Sequence, residues 1–335
     1  MNTAETPTIP PFAARLDGVT VRYGRERAAT LSGDVLRLGN RGPGGVNALD
    51  SASLTLRPGV ITGILGRNGA GKTTLLQLLA GYVRPTSGSV VVGPQGQEED
   101  PWENPWTASG TQLVRESGDL MTDERVSANL WHYAAVRPDW DADLAGRLLD
   151  LFEIDTRRKP TALSRGKRSA LGATIGLASR APLTIFDEVY LGMDAPTRYA
   201  FYDEILADYA AHPRTILLSS HLVEEVERLF EDVVVLHRGR VLLAEPAEIM
   251  RERGHSLTGP AAAVDRLAAG RRVLHRQQLG STVQVTLEGQ ADDGAARAAG
   301  VDVGAVPLQD LVVRLTTGPQ APAGHDAAAP KGATR

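Results

Sequence analysis

Residues 60–74 read VITGILGRNGAGKTT, and LLQLLAG follows to residue 81. The first six residues are a short β-branched and leucine-rich run, the pattern of a buried parallel strand and too short for an independent helix. From Gly66 to Thr73 the chain matches G-x-x-x-x-G-K-[ST]. Glycine in such a loop lets backbone N–H groups approach phosphate oxygens with no Cβ in the way. Lys72 would reach the terminal phosphates as a point charge, and the Thr73 hydroxyl would be a magnesium ligand. A helix is expected from about Gly71 to Ala80, carrying Leu75, Leu76, Leu78 and Leu79, with Gly81 as its stop. It begins at the loop, so its positive dipole end faces the anion. A glycine-rich turn serving only geometry would leave the lysine unexplained: Lys72, Lys159, Lys167 and Lys331 are the four lysines among 36 basic residues. Gly66, Arg67, Asn68, Gly69, Ala70, Gly71, Lys72, Thr73 and Thr74 are therefore the candidate phosphate contacts.

Two further apolar runs have the same character, PLTIF at 182–186 and TILLSS at 215–220. Short buried strands alternating with helical patterns give an α/β fold with a parallel sheet. In such sheets ligands bind outside the carboxyl ends of the strands. PLTIF ends on Asp187 and Glu188, and TILLSS ends on Ser219, Ser220 and His221. Asp187 is placed to hold a magnesium hydration shell and Glu188 to polarise a water against a γ-phosphate. A solvated acidic strand end and a structural histidine are the plain alternatives. Three strand ends carrying Lys72, Asp187/Glu188 and His221 argue against both. A helix is expected over about 222–230, and DVVVLHRGRVLLAE at 232–245 reads as two strands joined by a tight Arg-Gly turn.

The whole chain has 335 residues, a length of about two domains at roughly 150 residues each. Acidic residues (40) against basic ones (36) leave a formal charge of −4, so no nucleic-acid partner is expected. No apolar run approaches the ~18 residues of a membrane span, and MNTAETPTIPPFAARL lacks the features of a signal peptide. Zero cysteines exclude a disulfide scaffold, thiolate zinc sites and cysteine nucleophiles. Residues 1–11 and 318–335 read as a disordered lead-in and tail, and 25–46 as a glycine-rich insertion. After about Gly254 the composition shifts. Residues 255–317 read as a small α+β appendage with a helix at AAAVDRLAAG, strands at RRVLHRQQ and STVQVTLEG, and a further helix.

With these residues in place, the chain resembles the ATP-binding subunit of an ABC transporter, from about Leu16 to Glu245 and more loosely to Leu315. The family's LSGGQ signature is LSRGK at 163–167, its serine 23 positions before Asp187. The resemblance implies a P-loop NTPase cassette over 12–254, with a helical subdomain at about 117–180. It also implies ATP and Mg2+ as cofactors and a homodimer or heterodimer of cassettes. In that family each signature closes over ATP held by the partner, which would give Ser164 and Gly166 a nucleotide contact. The physics is that of a capped helix N-terminus meeting an anion. Asp194 resembles the aspartate that touches the partner cassette, and Tyr23 the aromatic that stacks on adenine, although a core tyrosine reads nearly as well. His221 would sense or position the γ-phosphate.

Several positions depart from the family pattern. Val189-Tyr190 stands where proline-threonine is usual after Glu188. Counting back from RVSANL at 125–130 puts Glu116 at the family's glutamine position, where a carboxylate could contact the metal. Arg165 replaces the first signature glycine. The aromatics of the helical subdomain, Trp131, Tyr133 and Trp140, are read as core side chains before contacts. PLQDLVVRLTTG at 307–318 resembles the ending of exporter ATPases. The resemblance thus implies an exporter ATPase, cytoplasmic and peripheral on the inner face of the membrane, docked on a separate integral permease. A soluble ABC ATPase without a transporter is disfavoured, because only 92 positions, without heptads, separate Lys72 from Ser164. A nucleotide-binding regulator with weak hydrolysis is encouraged by Glu116 and Arg165 and opposed by the intact Lys72, Asp187, Glu188 and His221.

Overall fold

The computed structural model describes residues 9–24, 45–116 and 119–317. The tail at 318–335, the insertion at 25–46 except its last two residues, and the lead-in except residues 9–11 lie outside the described residues. The chain divides into two compact units, 1–250 and 251–335.

The first unit opens with strands β1 (Phe12–Tyr23), β2 (Val46–Leu56) and β3 (Ile61–Leu65). Helix α1 (Lys72–Leu79), β4 (Ser87–Pro94), α2 (Pro105–Ser109) and β5 (Thr111–Arg115) follow. A helical stretch then supplies α3 (Val126–Val136), α4 (Ala142–Leu151) and α5 (Arg165–Ala178). The chain returns through β6 (Leu183–Asp187), α6 (Ala195–Ala211), β7 (Thr215–Ser220) and α7 (Val223–Val226). It ends with β8 (Asp232–His237) and β9 (Arg240–Pro246), and α8 (Ala247–Glu252) runs across its last residue.

Strands β5-β6-β7-β3-β8-β9 form one sheet, parallel except for β9, and β2-β1-β4 form a second, antiparallel one. The three apolar runs thus become adjacent central strands, buried on both faces as their unbroken hydrophobicity requires. Helix α1 lies between the two sheets: Leu75, Leu76, Leu78 and Leu79 join one core with Leu16, Leu49 and Val92 of the antiparallel sheet and Ile64, Leu113 and Leu217 of the parallel one. The β8–β9 hairpin turns on Arg238 and Gly239, at φ 49° and 80°, the positive angles that a tight two-residue hairpin turn favours.

Two expectations are corrected here. The helix expected over about 222–230 is α7 and a 3-10 turn at Glu227–Leu229, a tightening that accompanies burial of Leu229 and Phe230. In α3 only Val126 and Asn129 are buried, so Trp131 is 67% exposed and does not belong to the core. Asn129 ties down the segment before α3: its side chain accepts from Met121 N–H at 2.8 Å and donates to the carbonyls of Met121 and Arg125.

The second unit contains β10 (Gly254–Pro260), α9 (Ala261–Ala268), β11 (Val273–Leu279) and β12 (Thr282–Glu288). It continues with α10 (Asp293–Ala298), β13 (Asp302–Ala305) and α11 (Leu308–Thr317). The strand order β11-β12-β10-β13, all antiparallel, is the ferredoxin-like βαββαβ arrangement followed by one more helix. Leu257, Val264, Val283, Val285 and Leu287 form its core.

Candidate functional site

The parallel register sets the site. Asp187 on β6 lies opposite Ser219 on β7, and Ser220 lies opposite Leu65 on β3. The loop after β3, the acidic pair after β6 and the histidine after β7 therefore leave the sheet side by side, at its carboxyl edge.

Gly71 precedes α1 at φ 106°, and a Cβ there would stand 2.5 Å from the carbonyl oxygen of Ala48. A side chain is excluded both by conformation and by space. No side chain caps α1, so its first N–H groups are left for a ligand. Lys72 is 5% exposed. Its Nζ donates to the carbonyl of Gly66 at 3.0 Å and pairs with Glu188 Oε1 at 3.2 Å. The same Glu188 oxygen is 3.6 Å from His221 Nδ1. Lysine and histidine, from beyond two strand ends, thus converge on one carboxylate oxygen of the glutamate at a third.

Glu188 adopts φ 51° and ψ 29°, a left-handed conformation unusual for a side chain with a Cβ. Such strain costs about 1–3 kcal/mol and persists where the surroundings hold it. Ser219 does the holding: its Oγ accepts from Glu188 N–H at 3.0 Å and donates to Asp187 Oδ1 at 2.6 Å. Ser220 and His221 instead meet Tyr190, in the turn after Glu188. Burial pushes the Tyr190 phenol up from its ordinary pKa. Ser219 and Tyr190 are thus neighbours of the candidate site, although the sequence assigns neither of them a role there.

Thr73 is exposed at the start of α1, whereas Asp187 is 6% exposed. Among the described residues no group of three or more His, Cys, Asp or Glu side chains could hold a metal alone. One hydroxyl and one carboxylate do suit a magnesium ion that keeps waters and takes phosphate oxygens. Tyr23 packs half-buried against the core, with its Oη 3.4 Å from Thr74 Oγ1.

The signature segment forms its own cluster. Ser164 caps α5, accepting from Lys167 N–H at 3.2 Å. A Cβ on Gly166 would be 2.8 Å from the carbonyl oxygen of Gly192, so this glycine lets α5 press against the turn that follows Glu188. Arg165 pairs with Glu116, and Ser169 Oγ donates to the Glu116 carbonyl at 3.4 Å. Glu116 is thereby drawn to the signature helix by a cation already present. Glu116 and Arg165 border a cavity of about 460 Å³, also lined by Thr161 and Arg168. Asp194 caps α6, and hydrogen bonds from the Thr197 side chain and N–H hold its carboxyl below the usual range.

A family model described as ABC transporter matches residues 49–190. The chain is 33% identical over 257 residues to a putative ABC transporter ATP-binding protein of Streptomyces coelicolor, covering 72% of this chain and 40% of that relative's length. It is 30% identical over 263 residues to the aliphatic sulfonates import ATP-binding protein SsuB 1 of Burkholderia lata, covering 78% of this chain and 76% of that protein. Among solved structures, the dimeric ATP-binding cassette MJ0796 bound to ADP and Pi superposes with a TM-score of 0.57 at 17% identity, covering 70% of this chain and 98% of that one.

Proposed function

This chain belongs to the family of ABC transporter ATP-binding proteins, and on that premise we propose that it binds and hydrolyses ATP to power an exporter through a separate membrane permease. The observation that carries the reading is the convergence of Lys72, Glu188 and His221 within 3.2 and 3.6 Å at adjacent strand ends. In the proposed sequence, the β- and γ-phosphates draw Lys72 from Glu188 and rest on the N–H groups of the Gly66–Thr74 loop. Glu188, released from its ion pair, accepts a proton from the attacking water. His221 donates to the γ-phosphate. Thr73 and Asp187 would hold Mg2+, which supplies charge neutralisation at the phosphates. Glu116, already paired with Arg165, is a weaker candidate for that role than either.

We assign residues 12–254 to the cassette and 255–317 to an appendage. The dimer reading rests on Ser164 and Gly166 at the exposed start of α5, with Asp194 beside them. Trp131 and Val136, 67% and 60% exposed on α3, fit a surface for the permease. Among the described residues no helix is long and apolar enough to cross a membrane, which is consistent with a separate permease. Export is proposed on the 307–318 sequence alone, and the import name of one relative points the other way.

Glu188→Gln tests the catalytic assignment. Turnover should fall about 10²–10⁴-fold, the range for loss of a general base, while ATP binding persists. Hydrolysis at the wild-type rate would remove Glu188 from this role. The Arg165–Glu116 pair favours a second reading, a nucleotide-binding regulator, and ATP binding by the wild-type chain without turnover would select it.

A further inference from the structure

Tyr190 stands in a position that the proposed reaction leaves without a task. It is 3% exposed, yet its Oη meets three polar groups at the end of β7 and in the residue after it. Ser220 Oγ lies at 3.2 Å, His221 N–H donates at 3.0 Å, and His221 Nδ1 lies at 3.2 Å. The two rings lie 5.9 Å apart between centroids, tilted by 47°.

A phenol has one proton and two lone pairs. Ser220 Oγ accepts from Leu222 N–H at 3.0 Å and gives its own proton to Tyr190. The backbone N–H of His221 fills the second acceptor position. Both lone pairs of Tyr190 are then engaged, and its proton is left for His221 Nδ1. Burial keeps that proton on the phenol, because it raises the Tyr190 pKa.

We propose that Tyr190 is a positioning residue that holds neutral His221 with Nδ1 as acceptor and the proton on Nε2. The inference rests on reading His221 as the donor to the γ-phosphate. With Nε2–H the imidazole offers a donor to an anionic oxygen; with the other tautomer it would offer a lone pair and repel it. Glu188 Oε1, 3.6 Å from Nδ1, would itself favour a proton there. Tyr190 opposes that choice by presenting a donor to the same nitrogen. A threonine in this place would put a hydroxyl nearer its own backbone. The tyrosine ring gives the longer reach that this neighbourhood uses.

The test is the nitrogen NMR spectrum of His221 in the full chain at mildly alkaline pH, with and without Tyr190→Phe. In the wild type Nδ1 should show the unprotonated signature and Nε2 the protonated one. In Tyr190→Phe the two tautomers should mix, and kcat should fall about tenfold, one hydrogen bond's worth, with KM for ATP within about twofold. A proton on Nδ1 in the wild type would overturn the proposal. So would a Tyr190→Phe chain with unchanged spectrum and turnover. If that variant does not fold, the wild-type spectrum still decides. The spectrum needs neither ATP nor turnover, so its outcome is separable from that of the ATPase reading. A chain without hydrolysis but with Nε2–H would leave Tyr190 its role and remove the proposed function.

Discussion

Asp187, Ser219 and Ser220, at the carboxyl ends of β6 and β7, are at most 6% exposed, whereas the side chains of Arg165, at the start of α5, and Glu116, just after β5, are 64% and 40% exposed. Both clusters join charged or polar groups that are distant in sequence. They differ in what water can replace. A buried acceptor that loses its partner carries its whole desolvation cost. An exposed ion pair that is broken regains hydration, and its median worth is about 0–1 kcal/mol. Breaking a contact at the buried strand ends should therefore cost more than breaking one at the exposed signature start.

Ser219→Ala should break this comparison open at its strongest point. It leaves Asp187 Oδ1 and the N–H of strained Glu188 without their shared hydroxyl. We expect a loss of about 1–3 kcal/mol in urea unfolding, together with a fall in magnesium-dependent turnover larger than the change in ATP binding. A variant with wild-type unfolding and wild-type turnover would show that the clamp on Glu188 is made by the turn alone.

A weaker effect is expected at the other cluster. Glu116→Gln and Arg165→Ala, with their double variant, form a cycle whose coupling should be at most about 1 kcal/mol and should shrink as salt is raised. A coupling well above that, insensitive to salt, would mean that the pair is structural in the way the strand ends are. The charge-reversed double variant Glu116→Arg with Arg165→Glu sharpens the point: a mere attraction is restored by it, and a metal contact by Glu116 is not.

How far the sequence was legible follows the same division. The loop at Gly66–Thr74, the pair Asp187–Glu188 and His221 could be placed because each follows a short apolar run, and adjacency of buried parallel strands then brings the run ends together. Tyr190 and Ser219 could not be assigned partners, because which hydroxyl meets which group depends on register: Asp187 opposite Ser219, with the turn after Glu188 reaching Ser220. The Glu116–Arg165 pair had a signal. Both residues depart from the family pattern, with opposite charges, but 49 positions separate them and no periodicity joins two sites so far apart. In the second unit β10 and β13 escaped for a local reason. GHSLTGP carries two glycines and a proline, DVGA is four residues long, and tertiary pairing overrides both. Trp131 shows the reverse failure, since an aromatic on a helix does not by itself say which face the fold will cover.

The smallest effect is expected at Asp194, which lines a different cavity at the start of α5 together with Ser164 and Gly166. Its carboxylate caps α6 through Thr197, and those hydrogen bonds lower its pKa below the ordinary 3.8. A depressed carboxylate contributes stability that is present above its unfolded pKa and lost as pH falls through its folded one. The contribution should therefore be constant near neutrality and disappear only in the acid range. Asparagine caps a helix as well as aspartate and does not titrate. Asp194→Asn should thus match the wild-type melting temperature at pH ~7 and fall less steeply below pH ~4. Were the two curves parallel throughout, the cap would not depend on the charge. A divergence already at neutral pH would place Asp194 in an electrostatic network like that of the strand ends, and the contrast between the buried and exposed clusters would no longer hold at this position.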